Sequence, residues 1–386
     1  MKEQRYRIPY KDLLCATLPS CDRASRRLRC VASQLTRLTL LHALIVLTFM
    51  LGSMGEIVAQ DSGFDRVVLQ LKGSSSRIAM TCTVVDYTGE KITVRTKEGA
   101  QVRSFKASEV FEVSTPQTEP HVKGLVSFAR GDIEQAVVLF DRALVTENRA
   151  WVRRDILALL IRCALRRGDY AAAGSKFIVL WQSDPQTWHI KLVPLAWSPH
   201  NLDAGLRSEA VGWISLGNEM SQLLGASHLL NDASKALLAE RELRDLATST
   251  NRQIRLLARA QLWRLRLREG NVSPAELRRW QSRIADLPES IRGGPYYLLG
   301  RGHLNRKEYD RAAMALLWVP LVYDHDVFLA GRACLEAADS LNNIGQSNES
   351  VALYREVTTR FAGTPYADEA AGVLKAISAA KKSTGE

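Results

Sequence analysis

The sequence predicts a mainly α protein: an α-solenoid of about six helical hairpins, preceded by a small β module. Three observations carry this. Leu, Ala and Arg are abundant and only 12 of 386 residues are proline, which favours helix. A Gly-Asp turn followed by an Ala-containing helix recurs 37 residues on, at Gly131 and Gly168. Between Phe64 and Val113 the texture is instead β, with short Val/Ile/Thr runs cut by Gly-containing turns. A chain 46% hydrophobic and 24% charged can bury one large core or several domains, which excludes a disordered chain, a collagen and a polytopic membrane protein.

Residues 1–59 read as an export segment. Between Arg37 and Glu56 lie 18 uncharged residues, with an apolar block from Leu38 to Leu51 behind the basic cluster Arg23, Arg26, Arg27, Arg29 and Arg37. A charged flank, a short apolar run and then Gly52-Ser53 leading to Ile57-Val58-Ala59 is the layout of a secretory signal, with Ala59 or Gln60 the last residue removed. Residues 38–55 are also just long enough to remain as an inner-membrane anchor, and a start near Val31 would give a signal peptide of ordinary length. The expected address is the periplasm or cell envelope, with membrane contact only through a retained N-terminal segment. The cysteines nearest the cleavage position are Cys30 and Cys82, which argues against a lipid anchor. Processing leaves Cys82, Cys163 and Cys334, which are expected as buried single thiols. It also removes nine basic and four acidic residues, so the formal charge falls from +11 to +6.

Residues 62–115 form the β module. Strand-like runs cover Val67 to Leu69, Ile78 to Val85, Ile92 to Val94 and Val102 to Phe105, with a last short strand after Ala107-Ser108-Glu109-Val110. The pattern is similar to SH3-like barrels, with Phe105 and Phe111 expected in the core.

Residues 117–386 read as successive amphipathic helices. Gly131-Asp132-Ile133-Glu134-Gln135-Ala136, then Phe140 and Ala143, recurs as Gly168-Asp169-Tyr170-Ala171-Ala172-Ala173, then Phe177. A third copy has Leu299-Gly300, Lys307-Glu308-Tyr309, Ala312 and Leu316; a fourth has Gly345, Val351 and Tyr354. Between them, helices are expected over Ala204 to Leu224 and Asp232 to Ala247. Ser273-Pro274-Ala275-Glu276 is a helix start with a capping box, and Thr364-Pro365 opens a last, capping helix. These residues resemble the tetratricopeptide repeat, in which small residues let paired helices approach, a glycine ends the first helix and an aromatic fills the wedge. The ending Phe361-Ala362-Gly363-Thr364-Pro365-Tyr366 is similar to repeat ends in exported envelope proteins of the outer-membrane-assembly and Tol-Pal coordinator type. The resemblance implies a scaffold that holds a protein or peptide partner in the solenoid groove.

Catalytic signatures are missing from the sequence. There is no H-E-x-x-H, G-x-S-x-G, Walker loop or kinase set, and Gly300-Arg301-Gly302 lacks the third glycine of a dinucleotide fingerprint. Asp324-His325-Asp326 groups ligand-type side chains, but adjacent residues rarely converge on one metal, and a solvated loop is the expectation. No cofactor, metal or catalytic residue is therefore assigned. Two binding candidates remain. One is an arginine stripe, Arg252, Arg255, Arg259 and Arg266 near one helix face with Arg278, Arg279 and Arg283 on the partner helix, beside Trp263 and Trp280 for guanidinium stacking. It suits an anionic envelope component such as an acidic peptide, polysaccharide or headgroup; nucleic acid is disfavoured in an exported chain without a nucleic-acid motif. The other is the Asp184 to Asn201 loop with Trp188, His189, Trp197 and His200. The expected function is an exported, non-enzymatic scaffold for protein–protein interaction. The alternatives are a cell-wall-associated structural protein that binds through the β module and an envelope enzyme built on the loop or the Asp324 cluster.

Overall fold

Alternating apolar residues pair first into strands. The computed structural model describes residues 64–70, 76–96, 101–200, 202–270 and 272–384, so the expected export segment lies outside the described residues, as do the turns at Gly73 and Gly99. Strands β1 (Asp65–Gln70), β2 (Arg77–Tyr87), β3 (Lys91–Thr96), β4 (Val102–Lys106) and β5 (Val110–Ser114) form an antiparallel sheet in the order β4-β3-β2-β1-β5. Val67 of β1 faces Met80 on one side and Val113 on the other, with a bulge between Val68 and Leu69. The pleat turns Val67, Leu69, Cys82, Val84, Ile92 and Val94 inward. Asp65 is buried with them, and accepts from the Val84 amide at 2.6 Å and the Thr115 hydroxyl at 2.5 Å. The expected core positions Phe105 and Phe111 are only half-buried, because β4 and β5 are the edge strands; Phe111 carries the Arg77 guanidinium 3.5 Å above its ring.

The rest of the described chain is mainly helical. The chain divides into two compact units, one containing the sheet up to Val85 and Lys91–Gln117, the other Asp86–Glu90 and everything from Thr118 on. In the second unit the helices are α1 (Glu119–Arg130), α2 (Ile133–Thr146), α3 (Ala150–Arg166), α4 (Tyr170–Ser183), α5 (Ala204–Ser215), α6 (Glu219–Leu229), α7 (Ala236–Leu246) and α8 (Arg252–Gln261). They continue as α9 (Trp263–Glu269), α10 (Pro274–Ala285), α11 (Gly293–Asn305), α12 (Tyr309–Val322), α13 (Val327–Asn343), α14 (Ser347–Arg360) and α15 (Pro365–Thr384). No helix among the described residues is long and apolar enough to cross a membrane.

Four of the inter-helix turns share one geometry. Gly131, Gly168, Lys307 and Gly345 each take a positive φ, of 86°, 69°, 58° and 79°. At each, the next residue's amide reaches back to a carbonyl five positions earlier: Asp132 to Ser127, Asp169 to Ala164, Glu308 to His303 and Gln346 to Leu341, all at 2.9–3.0 Å. This is the Schellman closure, which satisfies carbonyls that the helix end leaves open. The helices so joined approach closely. A Cβ on Gly124 would lie 2.6 Å from the Phe140 ring, and one on Gly300 would lie 2.5 Å from Leu316, both sixteen positions on. Gly300 and Gly302 are thus packing residues; a Cβ on Gly302 would meet Leu277 at 2.4 Å.

The expected helix from Ala204 to Leu224 is two helices. Gly217 at φ 70° stops α5, and Asn218 caps α6 by accepting from the Ser221 amide at 2.9 Å. Ser273 caps α10 through the Glu276 amide at 3.2 Å. Cys82, Cys163 and Cys334 are free and buried, and burial pushes their thiols up to about 11, 12 and 12.

Candidate functional site

Nine arginines lie between Arg252 and Arg283, and the structure divides them by what their guanidinium groups touch. Arg252 donates to the Asp286 carbonyl at 3.3 Å, and Arg255 to the carbonyls of Ser249 and Thr250. Arg259 donates to Ala247 at 3.0 Å and Arg268 to Leu230 at 2.7 Å. These acceptors lie at or just beyond the ends of α10, α7 and α6, where carbonyls lack helical partners and the dipole favours a cation. Arg264 is buried, with bonds to the Ser227 carbonyl (2.7 Å), Gln261 Oε1 (2.6 Å) and Asn231 Oδ1 (2.6 Å). Burial brings its guanidinium down to about 9.

The expected single stripe is therefore not one surface. A cleft of about 540 Å³ between α7, α9 and α10 collects Arg259, Arg266 and Arg283 of the predicted set together with Arg244 and Arg268. Arg252, Arg255, Arg278 and Arg279 do not line it. The expected guanidinium–indole stacking is not formed either: Trp263 and Trp280 stack on each other, 4.7 Å apart at 3°, as the buried floor of the cleft. Leu262 and Leu265 add apolar surface beside them. Arg244 pairs with Glu240 at 2.9 Å, and Arg266 with Glu269 and, at 3.2 Å, Glu276. Arg283, like Arg278 and Arg279, is exposed and engages no carboxylate or carbonyl among the described residues.

The second candidate, the loop from Asp184, is buried for much of its length. Ile190, Leu192, Leu195, Ala196 and Trp197 all belong to the core. Among the described residues the rings of Trp188 and His189 lie 5.4 Å apart, while Trp197 and His200 face other partners. Trp188 lies against Tyr87 with ring centroids 4.6 Å apart, and His189 Nε2 is 3.1 Å from Asp155 of α3. Trp197 packs so closely on Gly294 of α11 that a Cβ there would lie 2.0 Å from the indole. His200 reaches the buried His228 of α6.

That last contact extends a polar chain. Arg264 donates to Asn231 Oδ1, the Asn231 side-chain nitrogen lies 3.2 Å from His200 Nδ1, His200 Nε2 lies 3.5 Å from His228 Nδ1, and His228 Nε2 donates to the Pro194 carbonyl at 2.9 Å. The Pro194 carbonyl only accepts, so His228 carries its proton on Nε2; His200 Nδ1 meets both the Asn231 amide and, also at 3.2 Å, the Ser198 carbonyl, a donor and an acceptor competing for one nitrogen. Both imidazoles are held neutral: burial, with the neighbouring His200, brings His228 down to about 3, and burial lowers His200 as well. Ser227 Oγ accepts from the Ala196 amide at 2.8 Å, and Arg332 of α13 donates to the Pro199 carbonyl at 2.8 Å. These groups hold the loop, and their donors and acceptors are spent on that. Asp324-His325-Asp326 diverges in the same way. Asp324 pairs with Arg360 at 2.8 Å, while Asp326 caps α13 and accepts from Tyr170. No cluster able to hold a metal ion occurs among the described residues.

The buried chain through Asn231 and His228 was invisible in sequence, since neither residue sits in a motif. The signal that existed was the 18-residue interruption itself. Compared with protein families, with curated proteins and with solved structures, the chain matches none of them.

Proposed function

We propose that the chain is a tetratricopeptide-like α-solenoid of the cell envelope, exported through its N-terminal segment, that scaffolds a protein partner and performs no chemistry of its own. The observation that carries this is the recurrence of one turn geometry at Gly131, Gly168, Lys307 and Gly345, in four helix pairs. Identical units that each bury a face on the next build an extended surface, and such surfaces serve binding.

A second periodicity supports the repeat reading. Arg166 donates to Phe128 at 3.4 Å, Arg268 to Leu230 at 2.7 Å and Asn305 to Leu267 at 3.1 Å. Each donor lies 38 residues after its acceptor, near the end of a helix, so one repeat's terminal side chain satisfies the preceding repeat's terminal carbonyl. On this pattern the Asp184–His200 loop stands where an inner helix of one repeat would be. It packs on α3, α6, α11 and α13 through His189, His228, Trp197 and Arg332, and so fills inner surface that a partner would otherwise use. The open arginine cleft is then the better place for the partner than the groove.

Cross-linking in intact cells, followed by capture of the full chain, tests this. One dominant envelope protein recovered with the wild-type chain is the expected result. Recovery of none, or a full-length cytosolic product whose N-terminus is unprocessed, would overturn it.

A further inference from the structure

We infer that the cleft between α7, α9 and α10 receives a polypeptide segment that mixes carboxylates with apolar side chains. This rests on the scaffold reading and adds the chemistry of the partner.

The charge count comes first. Five arginines line the cleft against three glutamates, Glu240, Glu269 and Glu276. Two of the arginines, Arg244 and Arg266, are already paired with those carboxylates. Arg259 and Arg268 each spend one donor group on a helix-end carbonyl, and Arg283 spends none. A guanidinium offers five N–H donors, so these three arginines keep a fan of charged donors facing the cleft. Incoming carboxylates would make charge-assisted, forked hydrogen bonds with them.

The floor decides between anions. Half-buried Leu262 and Leu265, backed by the buried Trp263–Trp280 stack, form an apolar strip between the charged walls. A sulfated polysaccharide has no hydrocarbon to lay on that strip, a flat phospholipid headgroup surface does not reach into a cleft, and either would set its charges against the three glutamates. A segment with alternating acidic and apolar side chains uses both surfaces and can place its own basic residues by the glutamates. A cleft of about 540 Å³ is within the range that encloses a few side chains.

The test uses the full chain isolated from cells and a labelled synthetic peptide alternating glutamate with leucine. Three comparison probes accompany it: the same peptide with lysine for glutamate, phosphatidylglycerol vesicles, and heparin. The glutamate–leucine peptide is expected to bind, and Arg283→Glu combined with Arg259→Glu to weaken it by about tenfold or more. Arg278→Glu, outside the cleft, is expected to leave it unchanged. Arg283→Glu alone, at an exposed side chain without a partner, keeps the test valid if the double variant is poorly folded. Equal binding by wild type and Arg283→Glu, or tighter binding of vesicles or heparin than of the peptide, would overturn the inference. If the wild-type chain still cross-links to an envelope protein in cells while ignoring the peptide, only the cleft inference falls. If it binds the peptide but cross-links to nothing, the scaffold reading falls.

Discussion

The Tyr170 hydroxyl lies 3.0 and 3.1 Å from the two oxygens of Asp326, across 156 residues of sequence. Asp326 also accepts from the amides of Phe328 and Leu329, so one half-buried carboxylate starts α13 and fastens it to α4. Burial raises its carboxyl while those three donors lower it. Removing the hydroxyl leaves the charge short of one donor. Tyr170→Phe is expected to lower the unfolding free energy by about 2 kcal/mol, read as a shift of the urea midpoint without change of slope. An unchanged midpoint would show that the contact is not a fastening.

Acid should loosen the helical unit well before carboxylates titrate. His228 and His121 are buried and His325 is half-buried, and desolvation brings them to about 3, 4 and 4. His228 faces His200 and Arg264, which lower it further; His325 faces Lys191 and Arg162, which do the same against Asp324. His121 faces Asp155 and Glu147, which oppose the burial, and Arg149. In the unfolded chain each binds a proton near pH 6.5, whereas the folded chain does not until pH 4 or below. The unfolded state therefore holds more protons throughout that window, and stability falls as pH drops from 6.5 towards 4. The slope is up to about 1.4 kcal/mol per pH unit for each such histidine. Urea titrations at pH 7 and pH 5 measure it, and His228→Gln is expected to flatten the dependence while lowering stability at pH 7.

Three of the four turns with the Schellman closure place glycine at the left-handed position, and the fourth places Lys307 there at φ 58°. A side chain in that region costs about 1 kcal/mol, which glycine avoids. Lys307→Gly is expected to raise the thermal midpoint, and Gly131→Ala to lower it by a similar amount. Nothing lies within 4 Å of a Cβ built at Gly131, so this second effect isolates backbone strain from packing. Gly168→Ala is expected to cost more, because a Cβ there also meets the Phe328 ring at 2.7 Å.

These turns were legible in the sequence because glycine is the residue the left-handed backbone demands; Gly131, Gly168 and Gly345 announced them, and Lys307 was recovered only from the Ala312 and Leu316 that follow it. The strands were legible for a similar reason, since alternation and Gly-bearing turns are local. What was not legible depended on distant partners. The split of the Ala204–Leu224 segment turns on a single Gly217 inside an otherwise helical composition. The meeting of Tyr170 with Asp326 leaves no local mark at all. The arginine stripe was legible only as a set of residues: helical spacing places side chains on a face, but it does not say which of them meet carbonyl ends of neighbouring helices and which line an open cleft.

Arg264 and Arg266 make that last point measurable, being two positions apart and chemically identical. Arg264 is buried and satisfies three acceptors, the Ser227 carbonyl, Gln261 Oε1 and Asn231 Oδ1, the last of which begins the hydrogen-bonded run to His200 and His228. Arg266 is exposed and pairs with Glu269 and Glu276 on the surface. Truncating the first strands buried acceptors, each of which then lacks both its donor and water, whereas truncating the second returns two carboxylates to solvent. Arg264→Ala is expected to cost about 3–5 kcal/mol and to flatten the acid dependence, since Arg264 is one of the charges that hold His228 and His200 below the ordinary imidazole range. Arg266→Ala is expected to leave the urea midpoint in place. Comparable losses for both variants would mean that the run from Arg264 to Pro194 does not hold the loop.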